Sequence, residues 1–246
     1  MKWGTLYPAS YVNVLYNAVC RNLAAPFRFV CLTDDGTGLL PGIEALPLPA
    51  FGLPEPLWYA KGVWPKLGIY QPGLNGLTGR CLFIDLDMMI CWRLEPFFEF
   101  AAPFAAIDTG ANWKARHAGA VPEAGTGLFA FDFGAEPQIL ARFMADPEKA
   151  IAAYGTEQAF VQATARSMAF WPHGWVISFK RHLCQPVGLD LFLPPKSPPP
   201  DAKVIAFHGS PRPIDLIRPG RHRWATLPHS GRGPVPWLVD YWRENG

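Results

Sequence analysis

Cys81-Leu82-Phe83-Ile84-Asp85-Leu86-Asp87-Met88-Met89-Ile90 sets two carboxylates inside an otherwise apolar run. Burying ionised carboxylates is costly unless something neutralises them. If the run is one extended strand over residues 80–86, side chains two apart share a face, so Asp85 and Asp87 converge on one point. A divalent cation with a preference for oxygen ligands, Mn²⁺ or Mg²⁺, neutralises such a pair and can also hold a substrate phosphate.

Outward from this run, the pattern alternates between strand and helix signals. Val12, Leu15, Val19 and Leu23 recur at helical spacing, with Ser10 as the N-cap candidate, and predict a helix over residues 11–23. Residues 27–32 read as a strand closed by the turn signal Thr33-Asp34-Asp35-Gly36, and residues 43–49 as a weaker strand cut by prolines. Trp64-Pro65-Lys66-Leu67-Gly68-Ile69-Tyr70 reads as a short helix with proline in its first turn. Further on, the pattern predicts a strand over 126–133, helices over 137–144 and 157–168, and a short strand 204–207 that delivers His208-Gly209. The last forty or so residues, Pro- and Arg-rich, end in Trp237-Leu238-Val239-Asp240-Tyr241-Trp242-Arg243, read as a docked terminal segment. This order predicts an α/β layer fold followed by an irregular α+β half.

Composition narrows the classes of function. The 246 residues are 50% hydrophobic and 17% charged, enough for a substantial core. A net charge of +2 gives no global field for nucleic acid or an acidic membrane. Five cysteines without a C-x-x-C pair read as reduced thiols of a cytoplasmic protein. No apolar run is long enough for a membrane span, and the N-terminus lacks an apolar signal core. The 27 prolines, spread along an aromatic-rich chain, indicate ordered loops rather than disorder.

Several separate segments together resemble the nucleotide-sugar glycosyltransferases of the GT-A fold, most closely family 8 and its bacterial relatives. Leu82-Phe83-Ile84-Asp85-Leu86-Asp87 is similar to the strand ending in that family's D-x-D motif, and Phe207-His208-Gly209-Ser210-Pro211-Arg212-Pro213 to its H-G-x-x-K-P segment, with Arg212 in the lysine's place. Thr156-Glu157-Gln158-Ala159-Phe160 is similar to its D-Q segment, with Glu for Asp, and Ala124-Gly125-Thr126-Gly127-Leu128-Phe129 to the N-S-G stretch of its sugar pocket. Lys66 stands where the family places a basic residue ahead of the D-x-D strand. A D-x-D alone is weakly specific; its order with the other segments is far more so.

The resemblance implies a GT-A-like mixed sheet flanked by helices with an irregular Pro-rich C-terminal extension. It spans residues 1–246 as one domain, with 1–100 the nucleotide-binding half and 101–246 the acceptor half. It implies a retaining, metal-dependent transfer of a hexose from a nucleotide-diphosphate sugar, UDP the expected nucleotide, to a saccharide or glycoconjugate. Asp85, Asp87 and His208 would hold Mn²⁺ or Mg²⁺, with Asp85 also touching ribose. Lys66, Gly209 and Arg212 would serve the diphosphate, and Thr5, Tyr7, Thr33 and Asp35 the base and ribose. Gly127 would line the sugar pocket, and Gln158 and Glu157 are the candidates beside the reacting carbon. Two departures stand out: only two residues precede Trp3-Gly4 where the fold opens with a full strand, and Glu157 is one methylene longer than the family's Asp.

Plainer readings stand beside these. The acid pair could cap a strand end, Lys66 could cover the core with its stem, and Glu157 could simply favour a helix N-terminus through its dipole. The Trp171–Trp175 and Lys180–His182 stretches read equally as an acceptor groove or as packing. The Arg218–Arg232 cluster reads first as a solvated loop; an anionic lipid carrier there would leave peripheral membrane contact open. The rival functions are a catalytically degenerate nucleotide-binding homologue and a haloacid-dehalogenase-like phosphatase. The phosphatase needs its aspartate pair near the N-terminus and a later acidic pair, which this chain lacks.

Overall fold

A computed structural model describes residues 1–110, 113, 121–220 and 222–246. Helix α1 (Ala9–Asn22) buries Tyr11, Val12, Leu15, Ala18 and Val19, the stripe expected from the sequence. It starts after Pro8 rather than at Ser10, because proline fits the start of a helix and leaves no donor unpaired there. Strands β1 (Val30–Leu32) and β2 (Glu44–Leu46) pair in parallel, and Lys2 bridges Thr33 in parallel on the other side of the β1 end. The expected opening strand is thus represented by that single bridge. A four-residue helix, α2 (Glu55–Trp58), and a 3₁₀ segment over Trp64–Tyr70 follow; every residue of the latter is buried.

The centre is a sheet in the order β3-β6-β5-β7, built from β3 (Arg80–Ile84), β5 (Ala105–Asp108), β6 (Ala124–Asp132) and β7 (Ala169–Phe170). A second sheet runs β4-β9-β8, with β4 (Met88–Ile90) antiparallel to β9 (Val204–Ala206) and β8 (Val176–Ser178) parallel to β9. Between these strands lie α3 (Glu95–Glu99), α4 (Pro137–Ala145), α5 (Pro147–Tyr154) and α6 (Glu157–Thr164); α7 (Pro213–Ile217) and α8 (Pro236–Asn245) follow β9.

Two expectations about the deciding stretch change here. The strand ends at Ile84, and Met88 N–H donates to the Asp85 carbonyl (3.1 Å), so Asp85-Leu86-Asp87 forms a turn between strands of two different sheets. A turn lets Asp85 and Asp87 stay half-buried while Leu86 enters the core, which a continuous strand flanked on both faces would not. The helix expected over 157–168 stops at Thr164, and residues 169–170 leave it for the sheet edge.

Stacked aromatic rings hold the central sheet: Phe83 and Phe104 stack on Phe129 at 4.9 and 5.6 Å, and Tyr70 packs on Phe131 at 5.3 Å. Ring pairs of this kind add about 0.5–1.5 kcal/mol beyond their buried area. The core therefore fixes β3 and β6 as a rigid platform whose C-terminal and N-terminal ends meet at Asp85 and Gly127.

Candidate active site

The 3₁₀ segment aims Lys66 from beneath at the end of β3. Its Nζ donates to Asp85 Oδ2 at 2.8 Å and to the Thr126 carbonyl at 3.1 Å, with the side chain 5% exposed. Burial alone would lower the Lys66 ammonium, but Asp85 and then Glu157 raise it above its ordinary value. The cation is therefore locked charged.

Tyr7, just before α1, donates its hydroxyl to Asp87 Oδ2 at 3.1 Å. Burial, and then the Asp85 charge, push the Asp87 carboxyl up to about 7. Tyr7 itself is held well above the usual phenol range, first by burial and then by Asp87, so it stays a donor. Asp85 N–H donates to the Gly127 carbonyl (2.8 Å), which ties the acid turn to the start of β6. A Cβ on Gly127 would fall 2.1 Å from Met88 Cε and 3.4 Å from Asp85 Oδ2, so the absence of a side chain there lets Met88 pack against β6 beside the acid turn.

Thr126 extends the network. Its hydroxyl donates to Glu157 Oε2 at 2.7 Å, while Glu157 Oε1 is buried without a hydrogen-bond partner. Thr156 caps α6 through Ala159 N–H and turns Glu157 inward. Burial pushes the Glu157 carboxyl up to about 7, with Lys66 opposing. Tyr7, Asp87, Asp85, Lys66, Thr126 and Glu157 thus form one chain of polar groups with a single cation among three carboxylates.

The H-G segment arrives alongside. Phe207 N–H donates to the Asp87 carbonyl (3.3 Å), continuing the β4–β9 ladder toward the acids. His208 is engaged elsewhere: its Nε2 hydrogen-bonds Ser178 Oγ at 2.8 Å and its ring stacks on Trp113 at 5.2 Å. Burial, then Lys180 and Arg181, push the imidazole down to about 4, leaving it neutral at pH 7. Among the described residues, no group of three His, Cys, Asp or Glu side chains is gathered where it could hold a metal ion, so Asp85, Asp87 and His208 do not stand assembled as one donor set. Gly209 has φ +67°, a conformation that glycine adopts freely.

Arg212 starts α7 with its backbone N–H on Asp215 Oδ2 (2.9 Å), and its guanidinium reaches the Leu6 carbonyl (3.5 Å) beside Tyr7. Thr33 is buried and donates to the Asp35 carbonyl at 3.0 Å. The Asp35 side chain caps Thr37 N–H at 2.8 Å, and Lys2 Nζ also reaches the Asp35 carbonyl (3.0 Å). Thr5 and Gln158 are exposed. Sequence reasoning passed over Thr126 as a side-chain donor and over Ser178. The hydroxyl of Thr126 was in plain view beside Gly127. Ser178 carried no local signal: only the parallel register that sets Ser178 against Ala206 brings it to His208.

No protein-family model matches the sequence, and no curated protein does. Solved structures do. The glycosyltransferase GlyE of Streptococcus pneumoniae TIGR4 matches over 98% of this chain with a TM-score of 0.59 at 12% identity. The galactosyltransferase LgtC, in complex with donor and acceptor sugar analogues, matches over 96% with a TM-score of 0.53 at 13% identity. The fold is that of the GT-A-like glycosyltransferases. The bifunctional glycosyltransferase WbbM matches over 96% of the chain as well, with a TM-score of 0.50 at 13% identity. The chain spans 92% of the length of LgtC but only 59% of GlyE and 50% of WbbM. Within the GT-A-like fold, the mixed sheet and flanking helices agree with the architecture expected from the sequence. Among the described residues, no helix is long and apolar enough to cross a membrane.

Proposed function

We propose that this protein transfers a hexose from a nucleotide-diphosphate sugar, UDP the expected nucleotide, to a saccharide or glycoconjugate acceptor with retention of configuration. The observation that carries the reading is the Asp85–Asp87 turn, clamped by Lys66 and Tyr7 at the end of the central sheet of a glycosyltransferase fold. LgtC, which shares that fold, was solved with donor and acceptor sugar analogues, which favours a sugar donor and acceptor here. The fold also takes away the basis of the phosphatase alternative.

The acid turn fits a divalent cation, Mn²⁺ or Mg²⁺. Its two carboxylates carry more negative charge than Lys66 offsets, and Asp87 relieves the excess by drawing toward protonation. Asp85 and Asp87 would hold the ion; His208, the third donor that the family resemblance assigns, would have to exchange its Ser178 hydrogen bond to join them. When bound, the cation serves as a Lewis acid for the diphosphate leaving group.

The chain's own groups prepare the site for that substrate. Lys66 fixes the Asp85 carboxylate in one orientation, and Tyr7 does the same for Asp87. Gly127 lets Met88 pack beside Asp85 and so sets the wall of the expected sugar pocket, and Arg212 offers a planar fork that suits phosphate oxygens. Thr33 and Asp35 shape the loop at the β1 end, where the base and ribose would lie. Glu157 is 3% exposed, so it acts on the sugar through Thr126 and Lys66 as a positioning residue. Exposed Gln158 is the member of that segment able to meet the sugar itself.

The test is slow hydrolysis of a panel of nucleotide sugars, followed as released nucleotide with and without Mn²⁺. The reading requires Mn²⁺-dependent release that disappears in Asp87→Ala. Release unchanged in that variant, or none from any donor, would contradict it.

A further inference from the structure

Beyond the acid turn lies a cavity of about 520 Å³, bounded by residues 180–195, His208 and residues 224–232. Lys180, Arg181 and Arg232 line it, and among the described residues none of the three has an ion-pair partner. Its one carboxylate, Asp190, is already taken by Ser230 N–H (2.6 Å), Gly188 N–H (3.0 Å) and His229 Nδ1 (3.2 Å). Those same bonds tie the turn at 187–193 to the loop at 224–232, so the two form one surface.

That surface is apolar as well as basic. Of thirteen exposed large hydrophobic residues among the described ones, six lie between 187 and 227. Phe192 and Leu227 are 83% and 80% exposed, and Leu191, Leu193, Val187 and Leu189 about half. Charge is segregated to the same part of the chain. Residues 180–232 hold nine Lys and Arg against three Asp and Glu, a net +6; with the whole chain at +2, the remainder is −4. A near-neutral chain that concentrates positive charge around exposed Leu and Phe has the composition of a membrane-surface element, in which apolar side chains enter the headgroup boundary and cations meet anionic lipid.

We propose that this face docks on an anionic lipid bilayer. Leu191, Phe192, Leu193 and Leu227 enter the interface, and a lipid phosphate is received by Lys180, Arg181 and Arg232 at the cavity mouth. The inference goes beyond glycosyl transfer and does not depend on it.

The experiment is co-sedimentation of the full chain with vesicles of phosphatidylglycerol and phosphatidylcholine mixed, against phosphatidylcholine alone, at low and high salt. Binding to the anionic vesicles only, weakened by salt, is expected. The Lys180→Gln, Arg181→Gln, Arg232→Gln triple variant should lose partitioning by roughly fivefold per cation, on the order of a hundredfold together. Phe192→Ser with Leu193→Ser should also weaken binding while leaving the far-ultraviolet circular dichroism and the cooperative thermal transition of the parent intact, which shows that the variant is folded. Equal binding to both vesicle types, binding to neither, or no loss in the Phe192/Leu193 variant would overturn the proposal. So would a dimer in light scattering that the Phe192/Leu193 variant dissociates, since a second copy would then be the occupant.

Discussion

Lys66 Nζ sits 2.8 Å from Asp85 Oδ2 with the lysine side chain almost wholly buried and the aspartate about one-third exposed. A buried lysine beneath an acid at a strand end fixes the carboxylate in one orientation while solvent can still reach its other side. Lys66→Met should therefore destabilise the fold by about 3 kcal/mol, the low end for removing one partner of a buried pair, because Asp85 keeps some hydration. Removing the exposed pair Arg28–Glu44 by Arg28→Ala should shift stability far less, because solvent screens both groups. Urea denaturation at pH 7 compares the two.

Glu157 sets a pH dependence of definite sign. Its folded pKa of about 7 lies above the ordinary value of 4.5, so the folded state holds the proton more tightly than the unfolded chain. The stability this contributes is present in full below about 4.5 and is lost as pH rises through about 7. Asp87 acts in the same direction, and His208, lowered to about 4, acts in the opposite one. Glu157→Gln isolates the first of these: between pH 5 and pH 8 it should lose less stability than the parent protein. An equal loss in both would show that Glu157 titrates normally.

Gly127 tests the space beside the acids. Gly127→Ala drives a methyl against Met88 Cε, and overpacking of this kind costs about 1–3 kcal/mol. Because the clashing atom is the end of a flexible side chain, Met88→Ala should recover part of the loss. A double-mutant cycle on stability should give a coupling of about 0.5 kcal/mol or more. Additive effects would place the strain elsewhere.

Thermal stabilisation by nucleotide sugars addresses the donor. UDP-hexoses with Mn²⁺ should raise the melting temperature, and Arg212→Ala should diminish the shift without lowering the melting temperature of the free protein by more than a few degrees. Equal shifts in parent and variant would remove Arg212 from the diphosphate site.

The sequence disclosed most where a local pattern had a single physical meaning. The stripe of α1, the β6 strand and the acid pair were all legible, because apolar periodicity and a charged interruption speak for themselves. Asp85 and Asp87 are legible as a pair but not in their geometry: a turn and a strand share the same letters, and only the pairing of β3 with β6 and of β4 with β9 shows that the chain changes sheets there. The short strands β5 and β8 gave too little periodicity to register. Lys66 could be placed only by resemblance, since nothing local to a buried 3₁₀ segment says where its lysine points. Ser178 and Trp113 beside His208 were beyond reach, as tertiary pairing alone brings them together.

Isothermal titration of the full chain with UDP, with and without Mn²⁺, tests most directly whether the acid turn is a metal-dependent nucleotide site. The account predicts heat of binding with Mn²⁺, little without it, and its loss in Asp87→Asn at an unchanged melting temperature. Silence at millimolar UDP with Mn²⁺ present, or binding untouched by Asp87→Asn, would contradict it.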